Sequence, residues 1–128
     1  VISGTDFRIE DPELIGVVGR TLPAKLVSAS ELRDLEAECR GNEALCVACD
    51  DGMAVVDLRI NGGEIEMFVR MAVAFRHGAY ERQGPALAKI ACDLGASVMA
   101  FESRRRGWGR RLGPEWTRRG LDEFQRRV

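Results

Sequence analysis

The residues richest in chemistry run from Glu64 to Leu94, where a long alternating stretch leads into a short junction carrying Gly84 and then a helical pattern. A helix start presents backbone N–H groups that have no internal partner, and such donors can hold a phosphate. Gly84-Pro85 is also an ordinary way to begin a helix, because proline suits the first helical turn. Two further sets of residues invite chemistry. Cys46-Val47-Ala48-Cys49 has the spacing of a zinc or redox pair, but the chain has no second such pair and His77 is its sole histidine. Residues three apart in a strand point to opposite faces, so small core cysteines compete with the metal reading. From Glu102 to Val128 nine arginines meet four acids, a net of +5, which leaves −6 on the first 101 residues. Arginine pairs well with phosphate or carboxylate, so an anionic partner competes with a plain solvated basic end.

To position these groups the chain has 128 residues, 45% hydrophobic and 30% charged, enough for one domain over residues 1–128 with a normal core. Four cysteines are too sparse for a disulfide framework and fit a reducing cytoplasm. No apolar run approaches the roughly 20 residues that span a bilayer, and no signal-peptide pattern opens the chain. Thr5–Ile9 reads as a short strand, and Asp11-Pro12 opens a helix to about Val18. The Ser28-to-Glu31 capping box leads into a helix with Leu32, Leu35 and Cys39 on one face, ended by Gly41. Strands Ala44–Cys49 and Met53–Ile60 follow, separated by Asp50-Asp51-Gly52. Asn61-Gly62-Gly63 then turns into a third strand, giving an antiparallel meander.

In that third strand Ile65, Met67, Val69, Met71, Val73 and Phe75 alternate with Glu64, Glu66, Phe68, Arg70, Ala72 and Ala74. Period two places the first set on one buried face, and the apolar end of the second set predicts a far half covered on both sides. A helix over Pro85–Leu94 crosses to a strand Ser97–Ser103, which pairs parallel with the long one. A short helix Arg104–Leu112, a strand Glu115–Arg119 and a strand Glu123–Val128 complete the chain.

The expected fold is therefore α/β (α+β), a mixed and mostly antiparallel sheet with helices on both faces. The element order resembles the GNAT superfamily of N-acetyltransferases, with its acyl-CoA N-acyltransferase-like fold, over nearly the whole chain. The family's His-Pro-x-Tyr-Arg/Gln-x-x-Gly-x-Gly/Ala junction is similar to His77-Gly78-Ala79-Tyr80-Glu81-Arg82-Gln83-Gly84-Pro85-Ala86. Its Ala-x-x-Leu-Tyr-x-x-x-Gly-Phe ending is matched loosely by Gly107 to Trp116. The resemblance implies an N-acetyltransferase that uses acetyl-CoA on an unidentified amine, with Arg82, Gln83, Gly84 and Ala86 facing the cofactor's diphosphate. No metal is expected.

Acetyl transfer needs one group to take the amine proton and another to protonate the thiolate. Glu64 and Glu66, on the less apolar face of the long strand, are the general-base candidates, with solvent-facing strand residues as the competing view. His77 is a further candidate. The leaving-group tyrosine of the family falls at Arg111, and Tyr80 lies on the diphosphate side. Glu81 sets an anion near the diphosphate, a repulsion of roughly 1–4 kcal/mol at surface dielectrics, and Pro85 removes one N–H.

These departures keep a second reading open, a non-catalytic structural or interaction protein of the same fold. Trp108-Gly109-Arg110-Arg111-Leu112 resembles small acetyltransferase-like proteins of bacteriophages, which implies a virion or assembly component. A third reading is nucleic-acid contact through Arg104 to Arg127, with Trp108 and Trp116 interleaved. The acidic remainder of the chain weighs against it. A protein partner or a second copy is expected, since tryptophan and arginine are enriched at binding hot spots, and no membrane association.

Overall fold

Capping and turn chemistry set the first half of the chain as expected. The computed structural model describes residues 6–23, 26–103 and 112–128, Tyr80 by its backbone alone. β1 (Arg8–Ile9) is shorter than the expected strand, whose Thr5 lies outside the described residues. The Asp11 carboxylate accepts from the Glu13 N–H at 2.8 Å at the start of α1 (Glu13–Gly19). Ser28 Oγ accepts from the Glu31 N–H at 3.1 Å and caps α2 (Ala29–Arg40). The two helices touch where Gly19 leaves room, since a Cβ there would come within 2.4 Å of a Leu32 methyl carbon.

Three hairpin-linked strands follow, β2 (Leu45–Cys49), β3 (Gly52–Asn61) and β4 (Glu64–Ala74). α3 (Ala79–Asp93) crosses to β5 (Val98–Glu102), and β6 (Trp116–Arg118) and β7 (Glu123–Arg127) end the chain. The described elements form a mixed α/β fold with three helices and one seven-stranded sheet of order β1-β2-β3-β4-β5-β7-β6. Every neighbouring pair is antiparallel except β4 and β5. Helices cover both faces. Ile15, Leu32 and Leu35 pack with Cys46, Met53 and Val55 on one side, and Leu87, Ala88 and Ala91 pack with Val56, Met67 and Met99 on the other. No described helix is long and apolar enough to cross a membrane.

Three expectations fail. The strict alternation of the long strand breaks at Arg70. Val55 pairs with Met71 and Val56 with Val69, so Arg70 is an extra residue with no partner on β3. A bulge shifts the phase of the strand. Met67 and Val69 therefore face α3, whereas Met71 and Val73 face α1 and α2. Ile65 and Phe75, expected in the same buried row, are exposed.

The well-covered part of β4 is its middle, Glu66 to Val69, and the far half, Met71 to Ala74, is only half-buried. The helix expected from Pro85 begins at Ala79, with Pro85 inside it. The segment expected as a helix from Arg104 lies outside the described residues except for Leu112, which is in neither helix nor strand.

Candidate functional site

β4 and β5 keep parallel register from Glu66–Val98 to Val69–Phe101. Past those pairs β4 continues to Ala74 while β5 stops at Glu102. The bulge falls at the point of parting, and bulges bend the strand that carries them. A cleft of about 420 Å³ opens there. Its apolar wall is Val69, Ala72, Leu87, Met99, Phe101 and Trp116. Phe101 is fixed by an edge contact with Trp116 at 5.2 Å and stacking on Phe124 at 5.3 Å between centroids. From Arg70 to Ala74 the β4 edge on this side has no strand partner among the described residues. The cleft thus offers apolar walls beside a strand edge without a strand partner among the described residues, on which the Val73 carbonyl is taken by Gln83.

The first turns of α3 form one lip, and they are tied to the sheet. Gly78 caps the helix at φ +74°, a left-handed conformation that glycine adopts without strain. Arg82 donates to both oxygens of Asp51 in the β2–β3 turn, at 2.7 and 3.0 Å, and this pairing holds the Asp51 carboxyl below the usual carboxylate range. Gln83, buried, donates from Nε2 to the Val73 carbonyl at 3.2 Å.

Of the four residues expected at a diphosphate, Gln83 and Gly84 line the cleft and Arg82 and Ala86 do not. Gly84 and Ala86 sit in the body of α3, where backbone N–H groups bond to carbonyls four residues back. Glu81 lines the cleft beside them.

Neither Glu64 nor Glu66 lines it. Glu66 is buried, accepts from both terminal nitrogens of Arg119 (3.1 Å at Nη2) and takes a 3.4 Å contact from Asn61. The Arg119 hydrogen bonds outweigh burial and hold its carboxyl below the usual range. Glu64 is bonded to Arg127 on the surface. The His77 carbonyl accepts from Arg82 at 3.5 Å, and Arg111 lies outside the described residues. The cleft carboxylates are Glu81, Glu102 and Glu115, and the side chain of Arg126 reaches it from β7. Sequence reasoning missed Glu102, Glu115 and Arg126. Each is an ordinary charged residue in its own segment, and only the meeting of β5, β6 and β7 brings them to one opening.

The remaining chemical candidates are spoken for by packing. Cys46 lies in the core under α1 and α2 together with Cys39. Burial first, with Cys39, Glu10 and Asp11 adding, pushes the Cys46 thiol up to about 11. Among the described residues no group of three His, Cys, Asp or Glu could hold a metal. Of the described basic residues near the end, Arg118 lies over the Phe124 ring, and Arg119, Arg126 and Arg127 each face a carboxylate. No protein-family model matches the chain, and no curated protein matches it.

Proposed function

We propose that the chain is an acyl-CoA N-acyltransferase-like domain that binds acetyl-CoA in the β4–β5 cleft and transfers the acetyl group to an amine. The observation that carries this reading is the parting of the parallel β4–β5 pair at the Arg70 bulge, with a cavity of about 420 Å³ between. An extended ligand arm bearing amides suits such a place. It can bond to the unpartnered β4 edge as an added strand does, while its apolar parts lie against Val69, Leu87 and Phe101. In this reading the proton acceptor is a cleft carboxylate in place of Glu64 or Glu66. Glu115 faces Arg126 and Glu81 stands on the α3 lip, which leaves Glu102, exposed at the end of β5. The amine attacks the thioester carbonyl, the C–N bond forms as the C–S bond breaks, Glu102 takes the amine proton, and coenzyme A leaves as the thiolate, which takes a proton from solvent.

A second reading, a non-catalytic interaction protein of the same architecture, has its own support. Arg82 and Gln83 are already bonded within the protein, and α3 begins at Ala79. Leu58, Ile60 and Ile65 also form an exposed apolar strip on one face of the β3–β4 hairpin. Calorimetric titration of acetyl-CoA into the wild type and into Glu81→Arg separates the readings. The enzyme reading expects micromolar binding by the wild type. Binding only after the substitution would indicate a cleft closed by charge, and no binding by either protein would put the interaction reading ahead.

A further inference from the structure

Arg126 enters the cleft from a strand that the junction motif does not include. It stands on β7 opposite Met99 of β5 and Trp116 of β6, and its side chain is only 20% exposed. Nη1 lies 3.9 Å from the position a Cβ on Gly84 would take, so the guanidinium bridges the gap between β7 and the second turn of α3.

Its charge is poorly matched. The Glu115 carboxylate is 3.7 Å away, beyond hydrogen-bond distance, and among the described residues the buried Nε has no hydrogen-bond partner. By contrast, Arg70, Arg82 and Arg119 hold carboxylate oxygens at 3.0, 2.7 and 3.1 Å. A guanidinium carries five donors in a fixed fork, and a desolvated donor left unpaired is unfavourable enough that such groups in native proteins call for an explanation.

We propose that Arg126 is the anion-binding residue of the cleft and that the group it takes is the diphosphate of the ligand. The planar fork matches phosphate oxygens bidentately, and its position beside Gly84 puts the positive charge at the α3 lip. There it offsets Glu81 and supplies what Arg82, held by Asp51, does not. Glu115 is the exposed carboxylate that the anion displaces. This inference rests on the cleft being the ligand site proposed above.

Calorimetry on the full chain tests it with inorganic pyrophosphate, acetyl-CoA and S-acetylpantetheine, the last carrying the thioester arm without the diphosphate. Arg126→Gln is expected to weaken pyrophosphate and acetyl-CoA about 10- to 100-fold, the range for a lost hydrogen bond to a charged group. Its affinity for S-acetylpantetheine should be unchanged. Glu115→Gln should tighten pyrophosphate several-fold by removing the competing carboxylate. Should Arg126→Gln fail to fold in a thermal melt, the Glu115→Gln arm decides alone, and no tightening there overturns the proposal.

Pyrophosphate binding that is equal in wild type and Arg126→Gln overturns it, as does no pyrophosphate binding by the wild type at millimolar concentration. S-acetylpantetheine binding alongside either result would leave the cleft reading standing without Arg126. Arg126-dependent pyrophosphate binding with no affinity for either thioester would sink the cleft reading and keep the anion site.

Discussion

Glu66 shows how a charged residue on a strand comes to lie inside the protein. The residue is 3% exposed, and its carboxylate stays ionised because Arg119 reaches across to it from the far end of the chain. Removing one member of such a pair leaves the other buried and uncompensated, so Arg119→Ala should cost about 3 kcal/mol in urea denaturation at pH 7. The same pair sets a pH dependence. Because the folded protein holds Glu66 below its ordinary value, the stabilisation is present above the unfolded glutamate value and is lost as pH falls. Stability should therefore drop as pH falls below about 4. Glu66→Gln should show a smaller difference between pH 7 and pH 3 than the wild type, and an equal difference would remove Glu66 from the acid response.

At the scale of elements, α3 is the clearest case of local sequence yielding to tertiary contact. Gly84-Pro85 reads as a helix start, yet the helix begins at Ala79, six residues before Pro85. Arg82 on Asp51 and Gln83 on the Val73 carbonyl hold the extra turns against the sheet. Gly52 makes that docking possible. A Cβ there would lie 2.2 Å from the Val73 carbonyl oxygen and 2.1 Å from Gln83 Nε2, and the first of these is backbone that cannot swing aside. Gly52→Ala should then cost about 1–3 kcal/mol, as overpacked sites do. Hydrogen exchange should speed selectively over residues 79–84, whereas uniform exchange across α3 would contradict the pinning role.

For the whole molecule, the single extra residue at Arg70 decides which side chains meet. It lets β4 serve the α3 face with Met67 and Val69 and the opposite face with Met71 and Val73. It also marks the place where β4 and β5 part and the cleft opens. Deleting Arg70 sets Met71 directly after Val69, so Met71 and Val73 keep the side that faces α1 and α2 and the β3 register runs on without a bulge, since successive strand residues alternate faces. The deletion variant is therefore expected to keep a well-dispersed nitrogen–proton correlation spectrum, with shifts confined to the neighbours of the bulge and to Glu38 and Asp57, the carboxylates Arg70 pairs with. Collapsed amide dispersion would show that the extra residue is itself required for the fold.

Turn and cap chemistry is local, so the residues alone determined much of this architecture. Ser28, Gly41, the Asp50-Asp51-Gly52 and Asn61-Gly62-Gly63 turns and the crossover to β5 were legible because each depends on a few neighbouring side chains or on loop length. Phase, partners and the site were not. The Arg70 bulge leaves no mark in an alternating pattern, since it is set by how β3 and β4 register across the sheet. The pairing of Glu66 with Arg119 spans 53 positions, and Arg126 meets Gly84 only because β7 lies beside β5. Contacts between segments so far apart are fixed by packing the elements together, and no local propensity encodes them.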